Sequence, residues 1–389
     1  MDNFSFLNPT KIIFGRGTEK NVGEEILNYS KNILLHYGGG SIKKTGLYDR
    51  IIKSLDNAGI RYVELSGVKP NPRLSMVYEG IRLCKQEKLD FILAVGGGST
   101  IDSSKAIAMG VLYDGDVWDI YSGKATAESA LPVGTVLTIP AAGSESSNSS
   151  VITNEDGWYK RGHSSDVIYP RFSILSPELA YTLPKYQVGC GAADILAHLM
   201  ERYFTNTQHV ELTDRLIEST MKTIIHHIPK VLKDPENYDS WAEIMWGGAL
   251  AHNNLMNTGR VGDWASHNIE HELSGIYDVA HGAGLAVVFP AWMKYVYKHD
   301  IKRFCQFATR VWDVEPNFFS PEETALEGIS RLERFFSSIG MPVTLAELKV
   351  PLDRLEEMAD KATNGDKSTL GQFVPLKRAD VLSILKLAA

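Results

Sequence analysis

Cysteine is scarce: the chain has three in 389 residues, Cys84, Cys190 and Cys305, and no spacing relates them. Their scatter excludes a disulfide framework and a zinc-ribbon site, and it fits a reducing compartment. No apolar run is long enough for a spanning helix. The opening MDNFSFLNPTK has no charged segment followed by an apolar one, so neither a membrane anchor nor a signal peptide is expected. A strong excess of one charge is also missing. The formal net charge of −7 gives no reason to expect nucleic acid or an anionic membrane as a partner. Repeats and low-complexity tracts are absent. What remains is the composition of a globular enzyme expected in the cytoplasm, 44% hydrophobic and long enough for two domains.

The first half alternates β-rich runs with helical patterns. KNILLHYGGGS reads as a strand, Ile33 to Tyr37, running into a glycine loop; residues 45 to 58 read as helix and RYVELS as a second strand. Leu74 to Glu87 follows as helix. DFILAVGGGST is a continuous apolar strand, as expected where helices cover both faces of a parallel sheet, and GTVLTIP is a fourth. This rhythm predicts a doubly wound α/β domain with a mostly parallel sheet. Residues 149 to 175 are turn-rich, with a hairpin expected at Asn154 to Gly157. Beyond Pro184 helical stretches dominate: 187–205, 209–228, 239–256, 262–274, 281–298, 300–312 and 321–338. The predicted division is an α/β domain over residues 1–184 and an all-helical domain over 185–389.

Two glycine clusters follow strands. Gly96-Gly97-Gly98-Ser99-Thr100 lies between a strand and a helix expected from about Ile101 to Met109. Glycines let backbone approach a pyrophosphate, and a helix start offers free N–H groups and positive dipole. A plain βα turn would rarely need three successive glycines. Neither cluster spells G-x-G-x-x-G, so the standard dinucleotide fingerprint is excluded. Gly38-Gly39-Gly40-Ser41, followed by Lys43 and Lys44, is placed to meet the ribose end of the same nucleotide, although a turn with solvated lysines explains it equally well. TIPAAGSESSNSS, residues 138 to 150, is a third loop of the kind that lines ligand crevices.

WASHNIEHELSGIYDVAHGAGLAVVFP carries His267, His271 and His281. The first two are four apart and share one helical face. Gly275 is expected to break that helix and Asp278 to cap a new one that carries His281 near its start. Asp194 and His198 repeat the four-residue spacing in AADILAHLME. An Asp and several His on neighbouring helices can close around one divalent metal, and imidazole and carboxylate donors suit Fe²⁺, Zn²⁺, Ni²⁺ or Co²⁺. His163 and the pair His226-His227 look incidental, and His252 is left open. His267 to His271 also spells H-x-x-E-H, so a zinc hydrolase with Glu270 as base is the rival reading. A non-catalytic nucleotide-binding protein with a structural metal is a further alternative.

Taken together, YGGGSIKKTG, GVKPNP, LAVGGGSTIDSSK, the GSE of AAGSE, AADILAHLME and SHNIEHELSGIYDVAHGAGLAVVFP resemble the iron-containing (group III) alcohol dehydrogenase family, in its butanol dehydrogenase and broad aldehyde reductase branch. The resemblance spans essentially the whole chain. It implies a dehydroquinate-synthase-like α/β domain, a helical domain and a coenzyme in the cleft between them. By motif it implies Asp194, His198, His267 and His281 as metal ligands, with His271 near nicotinamide and substrate. Having all four ligands sets the chain apart from glycerol dehydrogenases and dehydroquinate synthases, which use three. Gly96 to Thr100 with Asp102 match the pyrophosphate segment, and Thr138, Ser144 and Ser147 the segment beside the nicotinamide. Asn71, Lys160, Leu179 and Thr182 are further implied coenzyme contacts. Where many members read TTAGTGSE this chain has IPAAGSE, so some hydroxyl contacts are missing.

The activity so implied is NAD(P)H-linked reduction of small aldehydes to primary alcohols, with iron favoured as the metal. Trp246, Trp264 and Phe289 are conjectured to line the pocket. Sites that prefer NAD usually present a carboxylate to the adenosine ribose. Here Gly38, Gly39, Ser41 and Lys44 occupy that position without an acid, which favours NADP, with NAD the alternative. FLNPTKIIFG is short, apolar and β-prone with no obvious partner strand, and relatives pair their first strands across a homodimer, so a homodimer is expected.

Overall fold

The apolar runs of the first half form strands because their β-branched and aromatic residues pack on both faces of a sheet. The computed structural model describes all 389 residues. Its strands are β1 (Lys11–Phe14), β2 (Asn32–Tyr37), β3 (Arg61–Leu65), β4 (Phe91–Gly96), β5 (Val133–Leu137), β6 (Ser149–Asn154), β7 (Tyr159–Ser164) and β8 (Phe172–Leu175). Around them lie α1 (Val22–Ile26), α2 (Ser41–Lys44), α3 (Leu47–Asn57), α4 (Leu74–Glu87), α5 (Gly98–Leu112) and α6 (Val117–Tyr121). The later helices are α7 (Lys185–Tyr203), α8 (Glu211–Lys233), α9 (Tyr238–His252), α10 (Ala265–Tyr277) and α11 (His281–Val296). They continue as α12 (Ile301–Trp312), α13 (Pro321–Ser338), α14 (Leu355–Ala362) and α15 (Arg378–Leu387).

Six strands form a fully parallel sheet in the order β1-β8-β5-β4-β2-β3, and β6 and β7 form an antiparallel hairpin. Side-chain alternation sorts the core into two layers. Ile33, Leu35, Phe91, Leu93 and Val95 pack with Val22 of α1 and Ile51 and Leu55 of α3. Leu34 and Ile92 face the other way, onto Val77 of α4 and Ile107 of α5. The chain leaves β2 for β3 on one side and returns to β4 on the other. The order therefore reverses between β2 and β4, the place where open α/β sheets leave a ligand crevice.

Several expectations need correcting. FLNPTKIIFG does find a partner in its own sheet: β1 runs parallel to β8, with Ile12 opposite Ser173. The short β8 sits among Pro, Ser and Arg and shows no clear apolar run. Gly275 does not break its helix; it is buried inside α10, where packing outweighs its low helix propensity. Asp278 is the C-cap of α10, left-handed (φ 54°) with its amide on the Ser274 carbonyl, and the N-cap of α11 is Ala280. The helix after the second glycine cluster starts at Gly98, so Ser99 and Thr100 lie in its first turn.

The chain divides into two compact units. The sheet unit comprises Leu7–Leu183 and Pro235–Asn253, and the helical unit Met1–Phe6, Pro184–Asp234 and Asn254–Ala389. A single cut at residue 184 would assign α9 to the helices, yet α9 packs with the sheet. Trp246 meets Phe14 edge-on at 6.5 Å between ring centroids, and the Arg16 guanidinium lies 3.5 Å from the Tyr238 ring centre. The helical unit is centred on Phe204, which stacks on Phe304 at 4.6 Å and contacts Phe289, Trp292, Phe307 and Phe373. Phe289 is therefore a core residue and lines no pocket. No helix is long and apolar enough to cross a membrane.

Candidate functional site

Three helices of the helical unit bring the predicted ligand residues together. Asp194 and His198 lie one turn apart on α7, His267 in the first turn of α10, and His281 at the start of α11. Asp194, His267 and His281 each place one ligand atom within 4.8 Å of the others, and His281 Nε2 is 3.9 Å from Asp194 Oδ1. His198 stands beside them, its ring 4.6 Å from that of His267 and its Nδ1 3.0 Å from Asp194 Oδ1. Asp194, His198 and His267 are buried and His281 half-buried.

The imidazoles are oriented from behind. His267 Nδ1 is 2.8 Å from Glu201 Oε1, and His281 Nδ1 is hydrogen-bonded to Glu270 Oε2. A carboxylate accepting the Nδ1 proton leaves the Nε2 lone pair for a metal, the arrangement common around metal-binding histidines. Burial and the nearby Asp263 raise the Glu201 carboxyl, while the amides of His267 and Trp264 that donate to it favour the ionised form. Trp264 itself is left-handed (φ 69°), an unusual conformation for a bulky residue, and its amide reaches Glu201 Oε2 at 2.5 Å. Its ring lies 5.3 Å from that of His267, so Trp264 flanks the cluster. Trp246 is 42% exposed on α9 in the other unit.

Two glycines of HGAGLA make room for this arrangement. A Cβ on Gly284 would stand 2.6 Å from Glu270 Oε1, and one on Gly282 would stand 2.0 Å from the Cys190 carbonyl oxygen. Sequence reading missed Glu201 as a supporting residue, although the spacing Asp194, His198, Glu201 puts all three on one face of α7. The donor set fits a divalent metal of the Fe²⁺–Zn²⁺ group: imidazoles of which two are held at Nδ1 by a carboxyl group, and one aspartate.

The H-x-x-E-H reading fails on geometry. Glu270 is completely buried, with one oxygen accepting from Ser274 Oγ and the other engaged by His281, so it sits behind the histidine cluster as a support. His271 is half-buried, its ring 5.7 Å from that of His281, and it groups with Glu270 and His281.

In the sheet unit the predicted coenzyme residues of the three loops follow the C-terminal ends of three neighbouring strands, β2, β4 and β5. Tyr37 of β2 pairs with Val95 of β4, and Gly96 with Leu137 of β5, which brings the loops after all three strands side by side. Gly38 is half-buried, and Gly39, Ser41 and Lys44 are exposed. A Cβ on Gly39 would meet nothing within 4 Å. Gly97 and Gly98 have a different reason to be glycine: a Cβ there would stand 3.1 Å from Ile139 and 3.0 Å from Ala142, so they let the third loop close down on the second. Ser99 is half-buried and Thr100 buried. Asn71 and Lys160, far apart in sequence, are buried together with Lys160 Nζ donating to Asn71 Oδ1 at 3.0 Å.

Asp102 is tied into the chain: Oδ1 accepts from Ser144 Oγ at 2.5 Å and Oδ2 from the Val151 amide at 3.0 Å. Thr138 is half-buried with its amide on the Gly96 carbonyl, and Ser144 and Ser147 are buried. Leu179 is half-buried and Thr182 exposed beyond β8. His252 lies against this third loop, its Nε2 2.6 Å from Ser149 Oγ. Lys43 is turned onto the Tyr48 ring at 4.6 Å.

Residues 9–177 match the family model for iron-containing alcohol dehydrogenase, and residues 190–389 match that for the C-terminal part of the Fe-containing alcohol dehydrogenase family. The chain belongs to the iron-containing alcohol dehydrogenase family. Among its relatives is the probable NADH-dependent butanol dehydrogenase 1 of Bacillus subtilis (strain 168), 48% identical over 387 residues and 99% of each chain. Another is the NADPH-dependent aldehyde reductase YqhD of Escherichia coli (strain K12), 36% identical over 378 residues and 96% of each chain. The crystal structure of NADH-dependent butanol dehydrogenase A from Thermotoga maritima superposes with a TM-score of 0.96 at 45% identity, covering 100% of this chain and 99% of that one. In this iron-containing alcohol dehydrogenase the first match lies within the sheet unit, and the second spans most of the helical unit together with α9 of the sheet unit.

Proposed function

We propose that the chain reduces small aldehydes such as butanal to primary alcohols, reversibly, with a nicotinamide coenzyme and one divalent metal. The observation that carries this reading is the cluster of Asp194, His267 and His281, backed by Glu201 and Glu270, in a chain of this family. Asp194, His198, His267 and His281 hold the metal, Fe²⁺ by family preference. A bound metal supplies Lewis acidity toward a carbonyl oxygen and the coenzyme supplies the hydride. The protein's own work is positioning: Gly96–Thr100 receive the pyrophosphate, and Thr138, Ser144 and Ser147 flank the nicotinamide. Asn71, Lys160, Leu179 and Thr182 complete the coenzyme contacts, and His271 assists the proton that reaches the product oxygen. We further read the protein as a cytoplasmic homodimer, in keeping with its three free cysteines and with its sheet edge.

Coenzyme choice is assigned to NADP(H). Gly38 to Lys44 contains no acid, Gly39 leaves open space, Ser41 offers a hydroxyl, and Lys44 remains exposed while Lys43 is held on Tyr48. A charge-assisted contact of about 1.5–3 kcal/mol with a 2′-phosphate corresponds to roughly 10–150-fold discrimination. NAD(H) is the second reading, favoured by the names of the Bacillus and Thermotoga relatives. The test is a grid of Fe²⁺, Zn²⁺ or Ni²⁺ against NADH and NADPH with butanal, in the native chain and in Lys44→Ala and Gly39→Asp. Both variants should lower the NADPH/NADH ratio of kcat/KM. A native chain that oxidises neither coenzyme would remove the functional reading, and an unchanged ratio in both variants would remove the role of this loop.

A further inference from the structure

Lys105, in the second turn of α5, is completely buried. Its ammonium donates to three backbone carbonyls of one segment: Ser144 at 2.7 Å, Ser147 at 2.8 Å and Ser149 at 2.9 Å. Three donors meet three main-chain acceptors, with the hydroxyls of Ser144 and Ser147 as longer contacts at 3.1 and 3.5 Å. One turn earlier, Asp102 accepts from Ser144 Oγ and the Val151 amide, and its carbonyl accepts from Ser150 Oγ at 2.9 Å. One helix thus holds the segment 144–151 from both ends. Packing alone does not call for a cation here, since an apolar side chain of the same length would fill the space without desolvating a charge. What the ammonium does that methionine would not is fix the direction of three carbonyls.

We propose that Lys105 is a positioning residue for the coenzyme, setting the backbone of Ser144–Ser149 against which the nicotinamide half rests. This rests on the function proposed above, in which Ser144 and Ser147 flank that ring. Burial lowers the ammonium to about 8, against the opposing pull of Asp102 on its own helix and Glu145 on the segment it holds. Other ionisable groups that reach this segment are His252 of α9, through Ser149, Tyr121 of α6, through Ser150, and Asp166, through Asn148, while Lys160 of β7 acts on Asp102.

The experiment compares the native holoenzyme with Lys105→Met and Lys105→Gln, reading KM for coenzyme and for butanal, NADPH affinity by fluorescence, and bound metal. A positioning role predicts a coenzyme KM and Kd raised roughly 10- to 100-fold, with metal content and butanal KM nearly unchanged. In the native enzyme coenzyme KM should climb as pH passes about 8, and Lys105→Gln should lose that rise. Folded variants with native coenzyme KM and Kd would overturn the proposal. Should neither variant fold, a native coenzyme KM that stays flat from about pH 7 to about pH 10 would overturn it instead. A native chain without coenzyme-linked reduction would refute the functional reading, and NADPH binding by fluorescence would still decide the role of Lys105.

Discussion

At the residue scale, the proposed metal ligands and His271 predict different losses. His267→Ala or Asp194→Ala removes a donor from the cluster itself and should abolish stoichiometric metal and nearly all turnover while NADPH still binds. His271→Ala should keep the metal and lower kcat on the order of 10²-fold, the usual size of a lost proton-transfer aid. Metal analysis of the purified variants separates the two cases, and metal lost on His271→Ala would shift the assignment to the group of Glu270, His271 and His281. Of the proposed ligands, Asp194 and His198 are an i, i+4 pair on α7, a pattern local enough to read from sequence, whereas His267 and His281 lie on two helices that only the fold brings together. The supports were less legible. Glu270 looked like a base because H-x-x-E-H is a string, and only the packing of α10 on α11 turns its carboxylate toward His281. Gly282 and Gly284 likewise make sense only once Cys190 and Glu270 are seen across the gap.

At the element scale, β2, β3 and α5 share a titratable staple. His36 of β2 is completely buried, with Nδ1 2.9 Å from the Leu65 carbonyl and Nε2 2.9 Å from Ser103 Oγ. A carbonyl can only accept, so Nδ1 carries the proton and Nε2 accepts from the serine, which fixes the neutral tautomer. Burial depresses its pKa from 6.5 to about 4. Below pH 6.5 the unfolded chain therefore binds a proton that the folded chain refuses. Full stability holds above that value and about 3 kcal/mol is lost as pH falls through about 4. Urea unfolding between those limits should show a steeper acid limb in the native chain than in His36→Gln, and identical limbs would refute the assignment. The sheet strands themselves were readable wherever an apolar run was continuous, as in β2, β4 and β5. Four-residue β8, set among polar residues, was not, and without it β1 had no visible partner. Helices α14 and α15 fell outside the expected stretches for a similar reason, being only 8 and 10 residues long.

At the scale of the whole molecule, β1 is an edge strand of the six-stranded sheet, paired with β8 on one side. Leu7 and Phe14 are 53% and 39% exposed, and Phe4 and Phe6 54% and 45%, so the first fourteen residues carry apolar surface next to open backbone hydrogen-bonding groups. Such an edge invites a second strand, and the proposed homodimer supplies one from another copy of the same chain. Sedimentation equilibrium at micromolar concentration should give twice the 43.1 kDa chain mass, and Ile12→Pro should shift it toward the monomer. A native chain sedimenting only as monomer would exclude the dimer. The membership of α9 in the sheet unit bears on how the chain is made. Leu183 is the last residue of that unit's first segment, but its remaining piece, Pro235–Asn253, is translated only after 51 residues of the helical unit, Pro184–Asp234. Emerging from the ribosome, the sheet unit therefore lacks α9, and with it the contact of His252 to Ser149, until residues 235–253 have followed.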